Sequence, residues 1–145
     1  MSLHPLQSLL VEPDQSGAFY LTASDLGPLL EAAEGLGFRC VSVDLADCAD
    51  KAALLGRLAA AFAFPPGFGL NWDSLSDALC DLSWLPAEGY VLGLESPGAL
   101  REDCPDDFAT LVAVLEGVSL AWREAGRPFW SFIALPDDEF DALAP

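Results

Sequence analysis

Asp73, Asp77 and Asp81 recur at every fourth residue, the spacing that stacks side chains on one face of an α-helix. On a wheel of about 100° per residue they fill an arc of about 80°, and Trp72, Leu75, Leu79 and Leu82 fill a similar arc on the opposite side. An apolar back and an acidic front follow. Aspartate is a poor helix-interior residue, and like charges four apart repel by about 0.2–0.5 kcal/mol per pair, so helix stability does not explain the choice. Surface helices commonly offset such acids with Lys or Arg three or four positions away, yet residues 58–100 contain no Lys, Arg or His. Carboxylates spread over about 12 Å of helix axis make a strip of negative potential whose complement is a cleft lined by Lys and Arg, the kind of cleft that holds nucleic-acid phosphates. The plain alternative is a solvated acidic face. Just upstream, Gly67-Phe68-Gly69-Leu70-Asn71-Trp72 sets an aromatic between two glycines that permit close approach of a partner.

Other chemistry lacks its parts. Nucleophilic catalysis needs a base beside the nucleophile, and the sole histidine, His4, lies in the N-terminal lead-in. Asp73, Asp77 and Asp81 stand too far apart along one helix face to close an octahedron around Mg²⁺. Gly67-Phe68-Gly69 joins two helices and has no Lys after it, unlike a phosphate-binding loop. Cys40, Cys48, Cys80 and Cys104 form no CxxC pair and are expected to be reduced, mostly packed thiols. Cys80 projects toward the acidic side, with no cation to activate it. Neither a catalytic residue, a metal nor a cofactor is expected.

The elements that must position the acidic helix are legible in outline. Phe38 to Leu45 alternates as a strand, and Lys51 onward reads as an Ala-rich helix stopped by Pro65-Pro66-Gly67. Asn71 suits an N-cap, with Asp73 at the positive end of the helix dipole, and the helix runs to about Leu82. Tyr90–Leu94 is a strand. Asp103-Cys104-Pro105-Asp106-Asp107 starts a helix with Asp103 as possible cap, a stripe of Phe108, Leu111, Val112, Leu115, Val118 and Trp122, and a stop at Gly126. Phe129–Leu135 is the last strand. Upstream, Gly17–Leu21 suits a further strand, followed by a helix with Pro28 in its first turn and Leu29, Leu30, Ala32, Ala33 and Leu36 as apolar positions. Strands separated by helices of ten or more residues imply crossover connections, hence an α/β fold with a small parallel sheet of three to four strands packed with helices.

The 145 residues carry 23 acidic and 6 basic side chains, a formal charge of −17, and 52% are hydrophobic. That composition folds. The charge disfavours direct binding of nucleic acid or an anionic membrane. No basic signal-peptide start or bilayer-length apolar run occurs, so a cytoplasmic location is expected. Trp122 and Trp130 read as core, and Trp72 as a packing anchor.

The stretch Pro65-Pro-Gly-Phe-Gly-Leu-Asn-Trp-Asp-Ser-Leu-Ser-Asp-Ala-Leu-Cys-Asp-Leu82 resembles the signature of the barstar family of ribonuclease inhibitors. The order of elements from Phe38 to Leu135 is similar to that family's fold. The resemblance implies no enzyme but an inhibitor of a basic ribonuclease, of toxin or extracellular type, bound one-to-one, with the inhibitor imitating RNA phosphates. Asp73 and Asp77 would enter the ribonuclease active site while Phe68, Gly69 and Asn71 shape the adjoining loop. Trp72, Ser76, Cys80 and Asp81 complete the expected partner-binding set. Gly67 stands where the family's best-known member has an interface tyrosine, Ser76 where it has a tryptophan, and Ala121 where a later helical acid occurs. A non-inhibitory interaction module on the same fold is the alternative. The expected organisation is a loosely ordered lead-in at 1–16, a strand–helix extension at 17–37, a barstar-like domain at 38–135 and an acidic tail at 136–145.

Overall fold

The computed structural model describes residues 5–48 and 50–136, with side chains from residue 7 onward. In chain order the elements are α1 (Pro5–Leu10), a 3-10 turn at Pro13–Gln15, β1 (Ala18–Thr22), α2 (Ala23–Gly35), β2 (Arg39–Asp44), α3 (Lys51–Ala61), α4 (Trp72–Asp81), β3 (Tyr90–Glu95), α5 (Gly98–Asp103), α6 (Pro105–Glu124) and β4 (Phe129–Leu135). The strands form one parallel sheet in the order β1-β4-β3-β2. Helices cover both faces, so the central strands β3 and β4 are apolar nearly throughout and buried along almost their whole length.

Two cores result. On one face Val41, Val43, Leu92, Leu94, Ile133 and Leu135 meet the apolar sides of α3, α4 and α6. On the other, Val91, Trp130, Phe132 and Ala134 meet Leu26, Leu29 and Ala33 of α2, with Leu10 from α1. Gly93 of β3 allows this second layer to sit close, since a Cβ there would stand 3.2 Å from a Leu26 methyl.

From residue 7 onward the N-terminal segment is tied to the rest of the fold, unlike the loosely ordered lead-in expected at 1–16. Residues 1–4, with His4, lie outside the described residues. Leu10 is completely buried, and its carbonyl accepts a 2.9 Å hydrogen bond from the Trp130 indole. Arg123 of α6 donates to the Ser16 carbonyl at 2.9 Å, fastening the entry to β1. The physical reason is supply of partners: the Trp130 indole N–H and the Arg123 guanidinium find backbone acceptors in this segment. Pro28 also departs from expectation. It lies inside α2, well past its first turn. Asp103 does not cap α6; it ends the short helix α5, and Cys104 takes the cap position without a side-chain hydrogen bond. Along α6, Phe108, Leu111, Leu115, Val118 and Trp122 are buried as the stripe requires, while Val112 is half-buried. The acidic tail from residue 137 lies outside the described residues.

Candidate protein-binding site

The acidic helix α4 is held at its start, along its back and at its end. Its start is fixed by Asn71, whose side-chain oxygen accepts from the Ser74 backbone N–H at 2.8 Å and so satisfies one of the free donors of the first turn. Along its back, Leu75 and Leu79 are fully buried against α6, and Trp72 is half-buried against the same core. At its end the Leu79 carbonyl belongs to the last turn and has no partner within the helix. The Trp122 indole of α6 supplies it, at 2.8 Å and in a buried setting. Leu82 then takes a left-handed backbone conformation (φ 47°), its N–H closing on the Ala78 carbonyl, and turns the chain sharply away.

The front of the helix is open to solvent. Asp73, Asp77 and Asp81 are all exposed, as are Asn71 and Cys80, whereas Ser76 is half-buried. Asp81 accepts a 3.3 Å hydrogen bond from Ser83. Among the described residues no basic side chain pairs with Asp73, Asp77 or Asp81. Four of the chain's six cations make contacts elsewhere. Arg57 donates to the carbonyls of Asp44 and Ala46, Arg123 to Ser16 and Arg127 to Ala87, while Arg101 lies 5.7 Å from the ring centres of both Tyr20 and Phe108. The negative strip is therefore unbalanced by the fold that carries it.

The loop between α3 and α4 stands beside this strip. Pro65 and Pro66 end any continuation of α3, and Gly67 adopts φ +98°, a conformation that favours glycine. Phe68 and Gly69 are half-buried, with Phe68 edge-on to Phe64 at 4.8 Å, and Leu70 is 54% exposed. Trp84, beyond the helix, packs edge-on against Phe64 at 5.8 Å and donates its indole N–H to the Phe62 carbonyl at 2.8 Å. Phe64 and Trp84 thus brace the loop. The aromatic spacing around Pro65-Pro66 was the available signal for Phe64, and no local pattern marks Trp84 as its partner.

All four cysteines are free, with Cys48 buried, Cys40 and Cys104 half-buried and Cys80 exposed. The Cys80 thiol is pushed above its ordinary range, first by partial desolvation and further by the charge of Asp77, against a lowering hydrogen bond with Ser76. It is an exposed thiol on the edge of the helix whose raised pKa argues against an activated nucleophile. Among the described residues no group of three or more His, Cys, Asp or Glu is placed to hold a metal, and no helix is long and apolar enough to cross a membrane.

The site is thus the exposed, uncompensated acidic helix of a parallel α/β domain. Residues 38–134 match the family model described as Barstar (barnase inhibitor), and the chain belongs to the barstar family. The match begins at the residue before β2, so β1, α2 and the segment before them lie outside the matched residues. Comparison with curated proteins returned no match. Members of this family are ribonuclease inhibitors, not enzymes.

Proposed function

We propose that this chain is a cytoplasmic, one-to-one inhibitor of a basic ribonuclease of toxin or extracellular type, and that it blocks the active site with the acidic front of α4. The observation that carries the reading is the row of exposed carboxylates, Asp73, Asp77 and Asp81, left without an internal counter-charge. A ribonuclease cleft is lined with Lys and Arg to hold phosphates. A rigid rod presenting carboxylates at one-turn intervals offers that cleft the same charge without a bond to cleave. Long-range attraction steers the encounter, and Asp73 and Asp77 hold the complex through charge-assisted hydrogen bonds to the nuclease's cations. Phe68, Gly69 and Asn71 set the adjoining loop at the rim. The N-cap, the buried leucines and the Trp122 bond keep the rod from yielding on contact.

The test is titration of barnase-type ribonucleases with the full chain at low and moderate salt. Inhibition is expected to weaken as salt rises. Asp77→Ala is expected to raise the inhibition constant by at least about thirtyfold, as truncation of one member of a desolvated charge pair does. Glu88→Gln, at an exposed acid away from α4, should change it little. Absence of inhibition at any salt refutes the reading. Gly67 and Ser76, which present no aromatic anchor beside the acids, favour a second reading in which the same face binds a basic protein that is not a nuclease. Recovery of such a protein in complex with the chain, with no ribonuclease inhibited, would establish it.

A further inference from the structure

The two edges of the sheet differ in character. At the β2 edge, Arg39 and Leu45 donate their N–H groups toward β3, so the backbone groups of Cys40, Ser42 and Asp44 face outward. The Asp44 carbonyl there already accepts from Arg57 at 2.8 Å, and charged Arg39 and Asp44 stand at the two ends of the strand. The β1 edge lacks such guards. Ala18-Phe19-Tyr20-Leu21-Thr22 contains no charge, proline or glycine and runs in unbroken register against Ser131–Leu135. Charges, prolines and bulges are what ordinarily keep an edge strand from pairing with another chain. Apolar surface also gathers here. Among the described residues the exposed large apolar side chains are Phe19 and Tyr20 on β1, Leu9 and Val11 shortly before it, Leu120 on α6, which packs on β1, and Leu70 elsewhere.

The geometry of β1 selects its occupant. The Gly17 carbonyl accepts from the Ser131 N–H at 2.9 Å, so the backbone groups of Gly17, Phe19 and Leu21 point to β4 and those of Ala18, Tyr20 and Thr22 point away from the sheet. These three positions are symmetric about Tyr20. A second β1, antiparallel about a two-fold axis at Tyr20, sets Tyr20 opposite Tyr20 and the Thr22 N–H opposite the Ala18 carbonyl. An axis at Phe19 or Leu21 instead opposes one of the three with Ser16 or Ser24, outside the strand. The side chains agree with the same axis. Phe19 lies on the α2 face, with its ring 5.8 Å from that of Trp130, and across the axis it meets Leu21. Tyr20 lies on the opposite face, beneath Arg101 at 5.7 Å, and meets its own copy.

We propose that β1 is a self-association edge, through which two copies of this chain pair β1 with β1 antiparallel and join their sheets into one. Phe19 and Tyr20 are 45% and 40% exposed. With roughly 200 Å² to each ring, two copies together offer on the order of 350 Å² of aromatic surface, which places the contact in the weak class below about 1,200 Å².

Sedimentation equilibrium of the full chain is expected to show a dimer of twice 15.4 kDa with a dissociation constant of roughly 10–100 µM. Each copy carries a charge of −17, so the dimer tightens as salt rises, the opposite sign from ribonuclease inhibition. Amide exchange of the ¹⁵N-labelled chain reads the register. Tyr20 and Thr22 should exchange at least about threefold more slowly at about 1 mM than at about 20 µM, while Phe19 and Leu21, bonded to β4, do not change. Tyr20→Lys sets like charges together at the axis and should weaken the dimer at least about tenfold. Thr22→Pro removes an outward N–H at φ −77°, which proline adopts, and should weaken it similarly with the urea midpoint preserved. A chain that is monomeric at about 1 mM, a dimer that survives both substitutions, or a dimer lost instead on Leu70→Ser overturns the proposal. Protection of Tyr20 and Thr22 that appears only when a ribonuclease is added also overturns it and gives the edge to a strand of that partner. The inhibitor reading stands or falls separately, because Tyr20→Lys and Thr22→Pro leave α4 unchanged.

Discussion

Replacing each helical aspartate in turn by asparagine changes charge with little change of shape, and the fold assigns the three substitutions different effects. Asp77, in the middle of α4, faces a like charge one turn away on both sides. Relief of two pairs at about 0.2–0.5 kcal/mol each gives a stabilisation of about 0.4–1 kcal/mol, or roughly 1–4 °C in melting temperature for a chain of this size. Asp81 is the last residue of the helix. Its neutralisation relieves one pair and also removes an unfavourable charge from the negative end of the dipole, about 0.3–1 kcal/mol, for a total of about 0.5–1.5 kcal/mol. Asp73 lies in the first turn, where its charge is favourable. Asp73→Asn loses about 0.3–1 kcal/mol of dipole interaction and regains one relieved pair, which leaves it between about 0.2 kcal/mol more stable and 0.8 kcal/mol less stable. The expected order of stability is therefore Asp81→Asn, then Asp77→Asn, then the parent chain, with Asp73→Asn from about 0.2 kcal/mol above it to about 0.8 kcal/mol below. Urea denaturation at about 10 mM and 1 M salt measures this, with Glu88→Gln as the reference for a general reduction of net charge. At 1 M the screening length of about 3 Å is shorter than the one-turn spacing, and the differences should collapse. A clear loss of stability for Asp77→Asn at low salt would show that Asp77 is held by a favourable contact within the fold, and the argument for an uncompensated binding face would be refuted.

Trp122→Phe removes the indole that satisfies the Leu79 carbonyl and should destabilise the chain by about 2–3 kcal/mol, combining an orphaned buried carbonyl with lost ring volume, as read from urea midpoints. Leu10→Ala should cost about 2–5 kcal/mol by opening a cavity beneath α2; a loss under about 0.5 kcal/mol would show that the N-terminal segment is not packed as described. Burial, reinforced by the charge of Glu34, pushes the Cys40 thiol from 9.0 up to about 11. The unfolded chain therefore releases this proton first, and the associated stability, complete below pH 9, is lost as pH rises from 9 toward 11. Cys40→Ala should lessen the slope of the urea midpoint against pH across that window.

The acidic helix was readable because local chemistry and tertiary packing agree there. Asn71 caps, the leucines share a face, and nothing in the packing overrides the period. β3 and β4 were readable as uninterrupted apolar runs, which a doubly covered parallel sheet demands. Helix α5 was not, because six residues with Leu100 as their single buried side chain carry no periodicity. The start of α2 was misplaced because Pro28 is most at home in a first turn, and the packing of Leu26 beneath Gly93 holds the helix across it. The role of Leu10 depends on a donor 120 residues later, Trp130, beyond the reach of any local pattern. The Phe64–Trp84 contact spans a shorter stretch, residues 64–84, and the sharp turn at Leu82 brings the tryptophan back against the loop.

The order of the strands bears on how the chain is made. The partner of β1 in the sheet is β4, which pairs Ser131 with Ala18, so β1 leaves the ribosome well before the strand it pairs with. At about 5–20 residues per second that wait is roughly 6–23 s, during which β1 and the sheet-facing side of α2 lack their native cover. Such long-range closure slows folding and leaves a nascent apolar edge open to stray association. Slower translation between residues 36 and 128 should therefore lower the yield of native protein, whereas supplying residues 1–37 as a separate peptide after the rest has been synthesised would remove the wait.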